Sequence, residues 1–392
     1  MLKYADDIVL LADDVKTLQN MIHRLEQYCT NWNMTVNLTK SKIMVFRRGG
    51  RLANAERWTF NGDVVEIVNS YTYLGVSLTP RLSWSQHVKE RINKAKSSLN
   101  MTWKDFFISK DIPFSLKLKL FYAVCRAILC YAAQVFGYAY FEEINQFLRY
   151  FLKKVLMLPD FTPNYTIMLE TGLPENSLYS LELNINYILK AIRNYPPNRL
   201  PNILANKIAA RNIFCFNDWN NLSAEFNINW SLENIVNWEL NKNILLDGLK
   251  SKWINNMRLK ANESADRIYR HLDPAKGVSY INDNFKKVKI MWIFRSRTGT
   301  LLLNTNIFNA TEQQKICSMC NSHEKEDIAH FIGRCKVLGE FRRRYFGKAH
   351  LEFNEIVNVL NGLNDPNWDN LYNYIIEAYD KYRRNMISEF NF

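Results

Sequence analysis

The stretch Leu2-Lys3-Tyr4-Ala5-Asp6-Asp7-Ile8-Val9-Leu10-Leu11 decides how this chain is read. Two apolar, β-prone segments flank a small residue and two carboxylates, the pattern of a tight hairpin with an acidic tip. Like charges this close repel unless a cation lies beside them. Magnesium suits the role, because it takes hard oxygen ligands from one or two carboxylates and keeps water or phosphate for the rest. A polar surface turn is the plain alternative, and these residues alone leave both open.

Outward from the hairpin, Asp13 and Asp14 are good first-turn and N-cap residues for a helix. Leu18, Met21, Ile22, Leu25, Tyr28, Cys29 and Trp32 step by three and four, so that helix has one apolar face. Ile43 to Phe46 reads as a strand, Asn61-Gly62 as a type I′ hairpin turn, and Tyr71 to Leu78 as a further strand ending at Pro80. This β-α-β-β opening over residues 1–80 is an α+β unit. Helical patterns then run to about residue 290, through 81–158 and 159–290, punctuated by Pro159, Pro163, Pro174 and Pro196-Pro197. Within them Ser83–Lys104, Phe114–Tyr138 and Glu142–Leu158 read as long helices. Residues 202–256 are rich in asparagine, yet Trp219, Trp230, Trp238 and Trp253 predict that they pack. Residues 291–350 hold a cysteine cluster, and 351–392 end in an amphipathic helix, Leu371 to Met386.

Lysine and arginine number 51 against 38 acids, a formal charge of 51 − 38 = +13. That balance favours a polyanionic partner. Seven scattered cysteines are too few for a disulfide framework and suit a reducing compartment, nuclear or cytoplasmic, rather than secretion. The most apolar run, Ala127 to Phe141, is shorter than the roughly 20 residues of a membrane span and reads as a buried helix.

Cys317-Ser318-Met319-Cys320, His330 and Cys335 give C-x2-C-x9-H-x4-C. Two thiolates in one turn and a His–Cys pair about one helical turn apart suit tetrahedral zinc. His323 is a rival third ligand, although Glu324-Lys325-Glu326 beside it suggests an exposed loop. Four protein ligands leave no open position, so such a site is structural. Buried thiols with a chance histidine are the alternative. Arg334, Lys336, Arg342, Arg343, Arg344 and Lys348 follow against one acid, Glu340, with Phe341, Tyr345 and Phe346 interleaved. Lys89, Arg91, Lys94, Lys96, Lys104, Lys110, Lys117 and Lys119 form an earlier basic track. Both read as faces for nucleic-acid phosphates, or as ordinary solvated helices.

Tyr4-Ala5-Asp6-Asp7 resembles the Tyr-x-Asp-Asp motif of reverse transcriptases. Two later segments match the same family in order. Trp32-Asn33-Met34-Thr35-Val36-Asn37-Leu38-Thr39-Lys40-Ser41-Lys42 resembles the next palm motif, an apolar-Asn-x-x-Lys-Ser/Thr segment after a helix, and Tyr73-Leu74-Gly75-Val76 the primer-grip hairpin. Phe151 to Pro159, Thr162-Pro163, Glu170-Thr171-Gly172 and Arg295-Ser296-Arg297-Thr298-Gly299 resemble the region downstream of the polymerase in jockey-like non-LTR retrotransposons. The same family carries a cysteine–histidine pattern there, which favours His330 over His323.

The resemblance implies the end of a polymerase palm (1–80), a helical thumb (81–158), a helical connector (159–290), a CCHC zinc knuckle (291–350) and a helical tail (351–392). It implies DNA synthesis on an RNA template from a DNA primer by two-metal phosphoryl transfer. Asp6, with Asp7 as its less strict neighbour, would hold Mg²⁺, and Lys40 would face the leaving pyrophosphate. Tyr4, Tyr73, Leu74 and Gly75 would lie along primer or nucleotide. Cys317, Cys320, His330 and Cys335 would hold Zn²⁺. Lys89, Arg91, Lys94, Lys96, Arg342, Arg343 and Arg344 would touch nucleic acid. The family's palm takes a further metal-binding aspartate and its fingers from upstream. The expectation is therefore a C-terminal portion unable by itself to extend a primer. The rival is a remnant that binds nucleic acid without chemistry. A group II intron maturase or telomerase relative fits Tyr4 to Asp7 but not the cysteine pattern.

Overall fold

Turn chemistry builds the first part of the computed structural model, which describes residues 2–264, 268–282 and 285–390. Strands β1 (Leu2–Tyr4) and β2 (Asp7–Val9) pair antiparallel, with Tyr4 opposite Asp7. β3 (Thr59–Phe60) and β4 (Asp63–Val64) turn at Asn61-Gly62, where φ is +51° and +87°. Positive φ at both positions is the type I′ geometry that Asn-Gly favours. Tyr71 to Leu78 is not one strand. It folds back at Leu74-Gly75 (φ +46° and +77°) into β5 (Tyr71–Tyr73) and β6 (Val76–Leu78).

The three hairpins are separate two-stranded sheets, so the anticipated β-α-β-β unit is realised as β-β-α followed by two further hairpins. Ile43–Phe46 is likewise no strand; a single parallel bridge joins Ile43 to Ile67.

Helix α1 (Val15–Asn31) closes this part. Asp14 caps it, accepting from the Thr17 amide at 2.8 Å and the Thr17 hydroxyl at 2.7 Å, and those bonds hold its carboxyl below the usual range. Ile22, Ile43, Trp58, Phe60 and Val65 form the core. Gln19 bonds the Thr59 backbone twice, at 2.8 and 3.0 Å, locking the helix to the β3–β4 hairpin. The apolar stripe outruns that cover: Cys29 is buried, but Tyr28 and Trp32 are exposed.

Two compact units divide the chain, Met1–Arg91 and Ile92–Phe392. The second is almost wholly helical. The expected single helix Phe114–Tyr138 is broken. A π-helical turn at Phe121–Arg126, Ala132 at φ +68° and Gly137 at φ +62° interrupt it. A positive φ ends a right-handed helix, and Asn184 Nδ2 donates to the Gln134 carbonyl at 2.8 Å within the broken stretch. Among the described residues no helix is long and apolar enough to cross a membrane.

Trp219, Trp230 and Trp238 pack with Phe216, Leu181 and Ile185, as their recurrence predicts, whereas Trp253 is only half-buried. Each buried indole N–H finds an acceptor: Asn184 Oδ1 at 3.0 Å, Ser223 Oγ at 2.8 Å and the Ser231 carbonyl at 3.0 Å. The asparagines serve this packing. Asn202, for example, donates to the carbonyls of Ala191, Ile192 and Tyr195 at 3.0 to 3.1 Å.

A second centre joins segments distant in sequence. Glu170, in the helix Asn164–Thr171, and Arg297, in Lys287–Arg297, are both fully buried and paired fork to fork at 2.7 and 3.0 Å. Tyr269 and Tyr280 hydroxyls donate to the same carboxylate at 3.2 and 2.8 Å. The remaining guanidinium donors reach the carbonyls of Leu360 at 2.5 Å and Asp273 at 2.8 Å. Gly277 packs directly on this pair: a Cβ there would lie 2.6 Å from Glu170 Oε2.

Candidate functional site

In the first hairpin Ala5 (φ +52°) and Asp6 make the turn, and Asp7 opens β2. Asp6 and Asp7 are both exposed, as are Tyr4, Leu2 and Ile8 on the strands beside them. The acidic tip is thus Asp6 at a turn and Asp7 on the strand that follows. Among the described residues no third carboxylate, histidine or cysteine gathers with the pair.

Asn37 organises the neighbouring motif. Its Oδ1 accepts from the Thr39 amide at 2.9 Å, the Thr39 hydroxyl at 2.6 Å and the Lys40 amide at 3.2 Å. This Asx-type turn leaves Lys40 exposed, while its carbonyl accepts from the Tyr71 hydroxyl at 3.0 Å. Tyr73 is half-buried, Leu74 exposed, and Gly75 forms the turn with it.

The helix Ser85–Ser97 presents Lys89, Lys94 and Lys96 to solvent. Arg91 departs from the expected basic face. It is buried, and its Nη2 donates to the Gly75 carbonyl at 2.5 Å. Holding that turn, it is withdrawn from phosphate reach.

The structure brings Cys317, Cys320, His330 and Cys335 together. All four are buried, and their ligand atoms lie within 4.8 Å of one another. Bonds of about 2.0–2.3 Å to a central zinc space tetrahedral ligands by roughly 3.3–3.8 Å, so the cluster can take the ion with a modest closure. His323, the rival ligand, is exposed at φ +55° and outside the cluster.

Local structure explains the spacing. The Cys317 amide donates to the Glu324 carbonyl at 2.9 Å, and Ile316 bridges Lys325, so residues 316–325 turn back on themselves. His330–Arg334 is a π-helical turn in which the Cys335 amide reaches the His330 carbonyl at 2.8 Å. H-x4-C therefore spans one wide turn of i+5 type rather than an α-helical one.

His330 Nε2 faces Cys320 Sγ at 3.4 Å, and Nδ1 faces Glu324 Oε2 at 3.3 Å. Hydrogen bonding with the Cys335 thiol, and then burial, push the Cys317 thiol up to about 12; the same bond holds Cys335 below its usual value. Burial acts to lower the His330 value, but bonds to Cys317 and Glu324 outweigh it and raise the ring to about 9. Without metal, the cluster retains protons that a cation must displace.

Two expectations around this cluster are corrected. Glu324-Lys325-Glu326 is not simply an exposed loop. Glu326 is fully buried, paired with Arg383 at 2.6 and 2.8 Å and accepting from the Asn304 amide at 2.9 Å. The basic segment after Cys335 is also less basic than its spelling. Arg342 is buried, donating to the Ala349 carbonyl at 2.6 Å and to the Cys335 carbonyl. Arg343 pairs with Glu340, Arg344 with Glu377 at 2.7 Å, Lys348 with Glu355, and Arg334 with Glu324 at 3.1 Å. Only Glu340 is visible as a neighbour within the sequence segment; the fold supplies the other acids.

The family model described as reverse transcriptase (RNA-dependent DNA polymerase) matches residues 1–78. The RNA-directed DNA polymerase from mobile element jockey of Drosophila melanogaster is 25% identical over 152 residues, covering 36% of this chain and 16% of that protein. Its counterpart from Drosophila funebris is 25% identical over 150 residues, with the same shares. The match thus spans about one sixth of the length of these curated relatives. No solved structure matches the chain. By these matches residues 1–78 are similar to reverse transcriptases, and about a third of the chain is similar to the RNA-directed DNA polymerases of the mobile element jockey.

Proposed function

We propose that this chain is part of an RNA-directed DNA polymerase of a non-LTR retrotransposon, acting on an RNA template and a DNA primer. The observation that carries the reading is the first hairpin, whose turn and first β2 residue present Asp6 and Asp7 within the segment that matches reverse transcriptases. Its apolar residues Leu2, Tyr4 and Ile8 are 44%, 66% and 39% exposed. A hairpin of two three-residue strands with uncovered apolar side chains and unpaired edges suits a piece of a larger palm sheet. On this reading Asp6 and Asp7 hold Mg²⁺, Lys40 faces the leaving pyrophosphate, and Tyr4, Tyr73, Leu74 and Gly75 line the primer side. Residues 1–80 are palm, 81–158 thumb, 159–290 connector, 291–350 zinc knuckle and 351–392 tail. The cysteine–histidine cluster holds structural Zn²⁺.

Two-metal transfer needs more carboxylate than one adjacent pair, because both ions must be held in line with the attacking and leaving oxygens. A polypeptide of these 392 residues, given Mg²⁺, primer–template and nucleotides, is expected to show no extension. Joined behind the fingers and upstream palm of the Drosophila melanogaster jockey polymerase, it is expected to extend the primer, and Asp6→Ala to abolish that activity. Extension by the 392 residues alone, or a joined protein indifferent to Asp6→Ala, contradicts the reading. A joined protein that binds primer–template but never extends it favours the rival, a non-catalytic nucleic-acid-binding remnant.

Exposed Lys89, Lys94 and Lys96 are the phosphate contacts proposed for the helix Ser85–Ser97. Each phosphate contact contributes about 0.9 to the slope of log affinity against log salt. Replacing all three by alanine is expected to flatten that slope by roughly 2–3. An unchanged slope removes this helix from the interface. Arg91→Ala and Arg342→Ala, by contrast, are expected to lower stability without changing the slope, because both side chains are buried on backbone carbonyls.

A further inference from the structure

Glu324 touches the cysteine–histidine cluster at two points. Its backbone carbonyl accepts from the amide of Cys317, the first cluster residue. Its side-chain Oε2 lies 3.3 Å from Nδ1 of His330, the third. The opposite ring nitrogen, Nε2, is the one turned to the thiols, 3.4 Å from Cys320 Sγ. Arg334 Nε lies 3.1 Å from the same Oε2, a second tie on that carboxylate oxygen. Arg334 belongs to the π-helical turn that begins at His330, which closes the arrangement on itself.

An imidazole can ligate a metal only through an unprotonated nitrogen. A carboxylate on Nδ1 keeps the proton there, frees Nε2, fixes the ring plane and strengthens the ligand. From this geometry we propose that Glu324 is the positioning residue of the metal centre: it selects the His330 tautomer and aims Nε2 at the ion, with Arg334 as its clamp. The inference rests on the reading of the cluster as a zinc site. It adds a residue that no ligand pattern contains, since Glu324 lies six positions before His330 in what reads as a polar loop.

The test uses the full chain, reduced and stripped of metal, titrated with Co²⁺ and then with Zn²⁺ against a chelator of known affinity. The wild type is expected to give the intense visible bands of tetrahedral cobalt with thiolate ligands. Glu324→Ala is expected to retain those bands at saturation but to bind Zn²⁺ roughly 10–100-fold more weakly. Glu324→Gln, which keeps an acceptor for the Nδ1 proton, is expected to lose less. Glu312→Ala is the charge control: Glu312 pairs with Lys315 and Lys325 at 2.8 and 2.6 Å, and it is outside the cluster. Its affinity is expected to match wild type. Far-ultraviolet circular dichroism of each metal-free variant separates loss of affinity from loss of fold. Equal affinities for Glu324→Ala and Glu312→Ala overturn the role of Glu324 while leaving the zinc site intact. Absence of tetrahedral cobalt bands in the wild type overturns the site and this inference together.

Discussion

Arg297→Met is expected to destabilise the helical unit by about 3–5 kcal/mol, the usual cost of leaving a buried partner charge unpaired. Glu170 would then keep two tyrosine donors but lose both guanidinium bonds in a fully buried setting. Glu170→Gln should fall in the same range, because the cation left behind is equally buried. The pair is a poor source of net stability, since desolvating both ions offsets most of their attraction. Its value is geometric. One guanidinium ties the helix Asn164–Thr171 to the carbonyls of Asp273, 24 residues before Arg297, and Leu360, 63 residues after it. Urea melts of both single variants and of the double variant Glu170→Met/Arg297→Met measure the coupling. The double variant is expected to recover part of the single losses. Strictly additive losses would show that the two charges do not act as a unit.

That pair also marks where sequence reading stops. Glu170-Thr171-Gly172 and Arg295-Ser296-Arg297-Thr298-Gly299 were legible as motifs, but nothing local says that the two segments meet across 127 residues. Local chemistry was far more legible. Asn61-Gly62 carries its turn type in its own backbone preferences, and Asp14 its cap. Ligand spacing picked out Cys317, Cys320 and Cys335, and the family resemblance favoured His330 over His323 as the fourth ligand. Charge counting along the chain failed for the opposite reason: it sees neighbours in sequence, not in space. Glu377, Glu355 and Glu324 neutralise cations that look unopposed, and Arg342 is spent on carbonyls. The same blindness hid Glu326, whose spelling is that of a loop and whose partner, Arg383, lies 57 residues away.

Removing zinc is expected to unfold the cluster region more completely than any single substitution elsewhere loosens its surroundings. From Ile316 to Cys335 the regular backbone structure is one isolated bridge, Ile316 to Lys325, and one π-helical turn, with scattered turn bonds between them. Such a segment has too few ladder bonds to order itself, and structural zinc contributes an apparent 10–16 kcal/mol in small domains at neutral pH. That is comparable to the whole stability of an ordinary domain, about 5–15 kcal/mol. Chelation, or Cys317→Ser, should therefore erase hydrogen-exchange protection over residues 315–335 while the helix Trp238–Glu263 keeps its own. Metal analysis of untreated protein should find about one zinc per chain, the stoichiometry that four closed ligands dictate. The affinity should fall with falling pH. In the metal-free cluster His330 holds its proton up to about 9 and Cys317 up to about 12, so zinc must displace both, and each drop in pH favours the protons. Protection that survives chelation, or an affinity flat between neutral and mildly acidic pH, would mean that the buried thiols pack as ordinary apolar side chains and hold no ion.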